Sequence, residues 1–291
     1  MSAQGEAYPE PEIAPAELAA ARARNVGAAL AEDVGSGDLT GQLLDPDAIV
    51  RAQLLVREAA VLCGRPWFDE VLQQVDPRLR AEWNLPEGAW MSPGATVCRL
   101  QGPARSLLTA ERPAINFLQL LSAVATQTRR YVEAIAQVPG ARARILDTRK
   151  TLPGLRLAQK YAVRVGGGAN QRLGLYDAIL IKENHIASGG GIAPVMRAAL
   201  AKGVPVQIEV ETIAQMEEAV TAGARSILLD NFSIADMRAA VQANAGRALL
   251  EASGGVSMDS VREIAATGVD RISIGGLTKD VKAVDYSLRV L

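Results

Sequence analysis

The stretch Val206-Gln-Ile-Glu-Val-Glu-Thr-Ile-Ala-Gln-Met-Glu-Glu-Ala-Val-Thr-Ala-Gly-Ala-Arg-Ser-Ile-Leu-Leu-Asp230 decides the fold. Val206–Val210 and Ile227–Leu229 are short apolar runs of strand length, each ending in a polar residue. Between them Ile213–Ala222 is amphipathic, and Thr212 with Gln215 predicts a helix N-cap of capping-box type. The same rhythm runs from residue 142 onward. Its apolar runs are Ala143–Leu146, Ala178–Ile181, Val206–Val210, Ile227–Leu229, Ala248–Leu250 and Ile272–Ile274. A further amphipathic stretch, Ile234–Ala245, follows the cap pair Ser233 and Asp236. The strand ends Glu209, Asp230, Glu251 and Gly275 are 21, 21 and 24 residues apart. Repeated βα units imply a parallel sheet, and even spacing predicts a closed or nearly closed barrel, with an open α/β sheet as the alternative.

The first 125 residues lack this repeat. Residues 17–33 read as a helix with Leu18, Val26 and Leu30 on one side. Residues 50–62 and 95–101 alternate or run apolar as strands do. Turn signals separate these elements at Gly35-Ser-Gly, Asp45-Pro, Asp76-Pro, Pro86-Glu-Gly and Ser92-Pro-Gly. A long helix is predicted from about Ala110 to Gln137, its apolar face set by Ile115, Leu118, Leu121 and Val124.

With 291 residues, 49% of them apolar and 22% charged, the chain can bury a large core without cross-links. A net charge of −1 gives no reason for whole-molecule attraction to nucleic acid or anionic membrane. Cys63 and Cys98 are the only cysteines and form no CxxC, so neither a disulfide framework nor a cysteine-built metal site is expected, and a reducing cytoplasm fits. The single histidine, His185, excludes His-His metal sites and argues against a Ser-His-Asp triad. The uncharged stretch Pro113–Thr128 has 16 residues and carries amides and hydroxyls, short of a membrane span. Residues 1–15 are acidic and proline-rich, unlike a secretory signal, and read as a mobile tail.

In βα barrels the functional groups lie at the C-terminal ends of the strands, where the loops converge. Those ends read Asp147-Thr-Arg-Lys150, Lys182-Glu-Asn184, Glu209 with Glu211, Asp230-Asn231, Glu251-Ala-Ser-Gly-Gly255 and Ile274-Gly-Gly276. Residues 141–182 hold nine Lys/Arg and two acids, so this segment is +7 and the remainder −8. Many of these cations belong to solvated helix faces. Arg149, Lys150 and Lys182 stand at strand ends and point to a substrate with more than one anionic group. The glycine doublets Gly254-Gly255 and Gly275-Gly276, after successive strands, suit a phosphate approached by backbone N–H groups. Glu209 and Asp230 suit Mg²⁺ or sugar hydroxyls, or they pair with Arg149 or Lys182. Gly166-Gly-Gly168 reads as a mobile or tightly turned loop, and His185 as structural. A phosphosugar-binding barrel results, open to isomerase, aldolase (with Lys182 as a Schiff-base lysine) or transferase chemistry.

The motifs then become specific. Thr148-Arg-Lys-Thr-Leu-Pro-Gly-Leu-Arg156, Lys160-Tyr-Ala-Val, Gly166-Gly-Gly-Ala-Asn170 and Leu180-Ile-Lys-Glu-Asn-His185 resemble the quinolinate phosphoribosyltransferase family. So do Glu32-Asp-Val-Gly-Ser-Gly-Asp38, Glu111-Arg-Pro-Ala-Ile-Asn116, Ile208-Glu-Val-Glu211, Leu229-Asp-Asn231, Glu251-Ala-Ser-Gly-Gly255 and Gly268-Val-Asp-Arg-Ile-Ser-Ile-Gly275. Together they cover about residues 30–290.

The resemblance implies an N-terminal α/β sandwich-type domain at 16–125, with 281–291 packing on it, and an incomplete α/β (TIM-like) barrel at 126–280. It implies a homodimer, or a larger assembly of dimers, in which Arg112 reaches the partner's barrel. The implied reaction joins quinolinate to 5-phosphoribosyl 1-pyrophosphate with Mg²⁺, giving nicotinate mononucleotide, pyrophosphate and CO₂ in de novo NAD synthesis. Arg112, Thr148, Arg149, Lys150, Gln171, Arg172 and Lys182 would then serve the dicarboxylate. Glu209 and Asp230 would serve ribose or, directly or not, Mg²⁺. Ser253, Gly254, Gly255, Ile274, Gly275 and Gly276 would hold the sugar phosphate. Lys150, Lys182, Glu209 and Asp230 are the catalytic candidates. Gln171 departs from the family pattern, where many members carry histidine before the arginine. Leu277-Thr-Lys-Asp280 departs too. The alternatives are a paralogous phosphoribosyltransferase of the same fold and a barrel that binds a phosphosugar without turnover.

Overall fold

A computed structural model describes Pro9 and residues 11–291, so most of the tail expected at 1–15 lies outside the described residues. The chain forms two compact units. One comprises Ile13–Arg129, Thr151–Gly167 and Gly276–Leu291, and the other is built on Arg130–Lys150 and Gly168–Gly275. The break between them falls at 129/130 rather than 125/126, and Thr151–Gly167 groups with the N-terminal residues. No linker marks the change, because one uninterrupted helix carries the chain across it.

The N-terminal elements are α1 (Pro15–Asp33), β1 (Ile49–Val56), β2 (Ala60–Val61), α2 (Arg65–Val75), β3 (Arg80–Trp83), β4 (Trp90–Met91), β5 (Thr96–Pro103) and α3 (Ala104–Ala136). Prolines in the first turns of α1 and α2 start those helices where a missing N–H costs nothing. α3 begins six residues before the predicted start and carries Pro113 inside it. Its buried hydroxyls serve the short strand beside it: Thr126 Oγ1 accepts the Val61 N–H at 2.8 Å and Ser122 Oγ accepts that of Cys63 at 3.0 Å.

The βα repeat continues as β6 (Arg144–Leu146), α4 (Arg156–Val165), β7 (Ile179–Ile181), α5 (Glu183–Ser188), α6 (Ile192–Leu200), β8 (Val206–Val210) and α7 (Ile213–Thr221). It ends with β9 (Ser226–Asp230), α8 (Ile234–Asn244), β10 (Leu249–Ser253), α9 (Val261–Ala265), β11 (Arg271–Ser273) and α10 (Gly276–Lys279). Both predicted caps form: Thr212 accepts from the Gln215 N–H and Ser233 from that of Asp236. The six strands make one sheet in the order β6-β11-β10-β9-β8-β7, every pair parallel. The last strand returns to pair with the first, as in a barrel, yet β6 and β7 are not paired. The sheet is thus an incomplete barrel, and a lone parallel bridge joins Leu146 to Ala169.

The antiparallel sheet of the first unit runs β12-β1-β5-β3, with β12 (Tyr286–Val290) supplied by the chain's end and paired to β1 from Ala52↔Val290 to Val56↔Tyr286. One face of β1 and β5 buries Ala52, Leu54, Val56, Cys98 and Leu100, and α2 contributes Trp67 and Phe68 to the same core. Cys63 and Cys98 are buried free thiols. The triple glycine is tightly turned: Gly167 has φ +91°, and a Cβ on Gly166 would come within 2.6 Å of the Ala125 carbonyl and Thr128. Gln159 is fully buried, accepts the Leu152 N–H at 2.8 Å and donates to the Thr278 carbonyl at 2.7 Å, which ties down the loop that follows Lys150. Among the described residues no helix is long and apolar enough to cross a membrane.

Candidate active site

Alternation along each parallel strand turns residues i and i−2 to the same face. The strand ends of the barrel therefore bring a second tier with them. One cavity of about 480 Å³ opens at these ends, lined by the pairs Leu180 with Lys182, Leu228 with Asp230, and Glu251 with Ser253, and by Glu209 and Ser273. Thr148, Arg149, Lys150, Gln171, Arg172, Asn231, Gly254 and Gly255 complete its wall.

Eleven of the fifteen residues expected at the site line this one cavity. Arg112, Ile274, Gly275 and Gly276 do not. Arg112 is exposed on α3, in the other unit. Ile274 is a correction: the pleat turns its side chain into the core, at 3% exposure, and its N–H is spent on the Leu146 carbonyl at 2.9 Å. Ser273 takes its place on the wall. Gly275 lies behind Lys150, since a Cβ there would meet Lys150 Cδ at 3.0 Å. Gly276 opens α10, a helix of four residues.

The charges are arranged rather than scattered. Lys182 Nζ donates to Glu209 Oε2 at 2.7 Å. The backbone of Lys182 is fixed as well, because its N–H donates to His185 Nδ1 at 3.0 Å. His185 is thus structural, as its sequence context suggested. Thr148 Oγ1 accepts the Lys150 N–H at 3.0 Å, which shapes the turn that presents Arg149 and Lys150. Arg172 donates to the Ala178 carbonyl at 3.2 Å, and Asp177 accepts the N–H groups of Leu173 and Gly174 at 2.7 and 2.9 Å. The loop carrying Arg172 is therefore folded back on itself.

The glycines after β10 meet a geometric need. Gly254 has φ +100°, and a Cβ there would stand 2.1 Å from Asn231 Oδ1. Asn231 itself takes a positive φ of 55° and donates its N–H to the Ser253 carbonyl at 2.9 Å. Its side-chain amide donates to Asp230 Oδ2 at 2.9 Å. Asp230 and the glycine turn are thus held as one piece.

Below the mouth lies a polar floor; sequence reasoning placed Asp147 and Glu251 at strand ends and Gln171 at the site, and did not assign Asn170, Gln207 or Ser226. Asp147 is fully buried and accepts from Asn170 Nδ2 at 2.6 Å and from the Gln171 N–H at 2.9 Å. Gln171 Nε2 donates to Gln207 Oε1 at 2.7 Å, and Gln207 Nε2 donates to Ser226 Oγ at 3.1 Å and to Glu251 Oε2 at 3.0 Å. Burial pushes the Glu251 carboxyl above its ordinary range and nearby Asp147 adds to that, while the Gln207 hydrogen bond, Arg271 and Ser273 pull the other way. Leu180, Leu228 and Ser273 were also missed as wall residues, whereas Asn231 stands at the mouth as its strand-end position suggested. Counting two residues back from Lys182, Asp230 and Gly275 would have found Leu180, Leu228 and Ser273.

Among the described residues no group of three or more His, Cys, Asp or Glu side chains is placed to hold a metal ion. Glu209 is engaged by Lys182 and Glu251 by Gln207, which leaves Asp230 as the cavity carboxylate without a cationic or buried amide partner among the described contacts. That set suits a hard cation such as Mg²⁺ only when substrate phosphates and water supply most of its ligands, the usual arrangement for Mg²⁺. Four cations, three acidic side chains (Glu209, Asp230 and Glu251) and a glycine turn around one cavity can hold a ligand with several anionic groups and a polyhydroxylated part.

Comparison with known proteins gives the same picture. The chain matches the model for the C-terminal domain of quinolinate phosphoribosyl transferase over residues 124–289 and that for its N-terminal domain over 38–122. It is 41% identical over 269 residues to a nicotinate-nucleotide pyrophosphorylase (carboxylating) of Mycobacterium leprae, covering 89% of this chain and 94% of that one. To the probable enzyme of that name in Bacillus subtilis it is 38% identical over 262 residues, covering 89% and 90%. The solved nicotinate-nucleotide pyrophosphorylase of Francisella tularensis superposes with a TM-score of 0.90 at 44% identity, over 94% of this chain and 97% of that one.

Proposed function

The chain belongs to the quinolinate phosphoribosyl transferase family, and from that premise we propose that its barrel mouth transfers a phosphoribosyl group to quinolinate with loss of CO₂. The products are nicotinate mononucleotide, pyrophosphate and CO₂, a step of NAD biosynthesis, and we place it in the cytoplasm. The observation that carries this reading is the convergence of Arg149, Lys150, Arg172 and Lys182 on one cavity with Glu209, Asp230 and the Ser253–Gly255 turn.

Quinolinate brings two carboxylates, which the arginine forks and the lysines hold, with Gln171 as a neutral hydrogen-bonding neighbour. 5-Phosphoribosyl 1-pyrophosphate brings a phosphate to the Ser253–Gly255 turn and ribose hydroxyls to Glu209 and Asp230. Mg²⁺, bound chiefly by the diphosphate with Asp230 beside it, would neutralise the leaving group's charge. The pyridine nitrogen attacks ribose C1 as the diphosphate departs. It loses no proton in doing so, and no histidine base is required. Positive charge grows on the ribose ring, and the two carboxylates stabilise it. The Lys182–Glu209 contact holds the Glu209 carboxylate in place for that role. After transfer, the C2 carboxylate leaves as CO₂, and the electron pair left on C2 is stabilised by the cationic ring nitrogen and the surrounding lysines and arginines. A proton from solvent completes the product.

Arg112 completes the site in this reading from the second subunit of a homodimer. Its exposure on α3 supports that role. Arg112→Ala and Arg149→Ala should each be nearly inactive, and mixing them under subunit exchange should restore activity, because mixed dimers contain one intact site. Verified exchange without recovery would count against a shared site.

The decisive assay mixes the protein with quinolinate, 5-phosphoribosyl 1-pyrophosphate and Mg²⁺ and follows CO₂ and nicotinate mononucleotide, with nicotinate tested in parallel. Product from quinolinate alone is expected. Turnover of nicotinate alone would move the chain to a paralogous activity. Binding without turnover would make it a phosphosugar-binding barrel.

A further inference from the structure

We infer that Asn231 is a positioning residue for the sugar-phosphate half of the site: its left-handed backbone and its amide together aim the Asp230 carboxylate and seat the Gly254–Gly255 turn. The inference rests on the proposed reaction, in which Asp230 meets the ribose and the turn meets its phosphate.

The starting observation is a backbone angle. Among the described residues only two non-glycine residues take a φ in the left-handed region, Ala245 at 47° and Asn231 at 55°. Ala245 ends α8, an ordinary place for that conformation. Asn231 stands instead at the end of β9, on the cavity wall. The chain has to turn sharply there. β9 ends at Asp230 and the cap of α8 is Ser233, so Asn231 and Phe232 alone carry the chain from sheet to helix. Phe232 is turned into the core. Glycine at 231 would make the turn at the least cost. Asparagine tolerates it less well, but it brings a side chain that glycine lacks. A residue held in a costly conformation beside a ligand cavity marks a place where position outweighs stability.

That side chain is held at both ends. The Asn231 N–H continues the ladder to the Ser253 carbonyl at 2.9 Å, next to the register pair Ser253↔Asp230. Asn231 Nδ2 donates to Asp230 Oδ2 at 2.9 Å. A carboxylate only accepts, so the nitrogen end of the amide faces it. The oxygen end then lies over Gly254, in the space a side chain would fill, since a Cβ there would collide with Asn231 Oδ1 and Cγ. Holding Oδ2 sets the plane of the Asp230 carboxylate, and hence the direction in which Oδ1 is offered to a ribose hydroxyl or a cation. Packing over Gly254 sets the course of the turn after Ser253. One side chain thus fixes the spacing between the group that meets the sugar and the group that meets its phosphate.

Two substitutions separate the amide from the backbone. Asn231→Gly removes the amide and suits the angle, whereas Asn231→Ala removes the amide and suits it badly. Both are expected to raise KM for 5-phosphoribosyl 1-pyrophosphate about 5- to 20-fold, the scale of one hydrogen bond to a charged group. KM for quinolinate should stay within about two-fold, because the cations that hold the dicarboxylate lie outside this turn. The unfolding midpoint should stay near the wild type's in Asn231→Gly and fall by a few degrees in Asn231→Ala. A residue that only built the turn would leave Asn231→Gly silent in every assay. A wild-type KM for the phosphoribosyl donor in Asn231→Gly, or an equal rise for both substrates, would overturn the inference. Calorimetric binding of ribose 5-phosphate to the same three proteins keeps this apart from the reaction. If the wild type binds ribose 5-phosphate but does not turn over quinolinate, the proposed reaction fails. The inference then still requires weaker binding, by the same factor, in both variants. Equal affinity in all three proteins, or no binding by the wild type, would refute it.

Discussion

The two larger sheets of this protein bury opposite kinds of surface. In the antiparallel sheet the inner row is hydrocarbon: Ala52, Leu54, Val56 and Leu100, with Trp67 and Phe68 from α2. In the parallel sheet a whole row beneath the mouth is polar: Gln207, Ser226, Glu251, Arg271 and Ser273 are all buried. Position in the first is set by volume and shape. In the second it is set by the pairing of donors and acceptors, because the cost of an unmatched buried group is high. The same kind of injury should therefore appear in different observables in the two places.

The largest effect is expected in the hydrocarbon core. Phe68 is 1% exposed and meets the Trp83 ring edge-on, with centroids 5.2 Å apart. Phe68→Ala should cost about 3–5 kcal/mol of stability, the usual range for a large aromatic deletion. Denaturant titration reads that loss, while the folded fraction keeps its kcat/KM. A stability loss below about 1 kcal/mol would mean that this core collapses around the gap. Lys182→Met should do the reverse. It removes a charge-assisted contact to Glu209 at 2.7 Å and one of the four cations, so kcat/KM should fall about 10²- to 10³-fold. The unfolding midpoint should move little, because the lysine is 43% exposed. Activity within about ten-fold of the wild type would remove Lys182 from the chemistry.

Legibility in the sequence follows the same divide. The barrel was readable because each unit repeats: β8 matches its predicted span residue for residue, and the Thr212 and Ser233 caps form as expected. The mouth was readable because strand ends must converge. The polar floor was readable only in part: Glu251 was read as a strand end, but Gln207 looks in sequence like an ordinary polar interruption, and only the two-residue pleat places the pair under Glu209 and Ser253. In the other unit β3 and β4 escaped notice. They are four and two residues long, and β3 carries Arg80 and Glu82 on an edge strand with one face in water. Nor did α2 declare itself, although Pro66 in its first turn was a usable start signal. The strand β12 is placed by a partner more than 200 residues away, which no local pattern encodes.

A smaller effect separates the regions by acid. Asp76, in the antiparallel unit, accepts from Arg78 at 2.8 Å and from the Ser106 hydroxyl at 2.7 Å. These partners hold its carboxyl well below the ordinary value of 3.8. A carboxyl lowered on folding contributes stability above its unfolded value and loses it as pH falls. Asp76→Asn should therefore melt a few degrees below the wild type at about pH 7, and the gap should close as pH drops below about 4. Glu251 has the opposite sign. Its carboxyl is raised by burial, so its ionisation weakens the folded state as pH climbs above the ordinary glutamate range. An Asp76→Asn gap that persists unchanged at about pH 3 would assign the effect to lost packing.

The smallest effect expected is in the barrel wall, at Gln171, where the family resemblance leads one to expect histidine. Gln171 cannot change charge, so quinolinate binding by this protein should show no histidine-like step. Gln171→His introduces a group that titrates near about 6.5 in the absence of perturbation. Arg149, Arg172, Lys150 and Lys182 line the same cavity, and like charges oppose a further proton. The step should therefore fall at or somewhat below that value. Its sign is fixed by the substrate: a protonated imidazole attracts the dicarboxylate, so kcat/KM in the variant should rise as pH falls through the step, by a few-fold, while the wild type stays flat. The imidazole must also meet Gln207 Oε1, which only a ring N–H can do, and that requirement holds the donor inward in both protonation states. A pH profile of kcat/KM measured between about pH 5.5 and 8 on both proteins decides the matter. Identical profiles would show that residue 171 senses the substrate through hydrogen bonding alone, and that the charge at this position is irrelevant to capture of the acid.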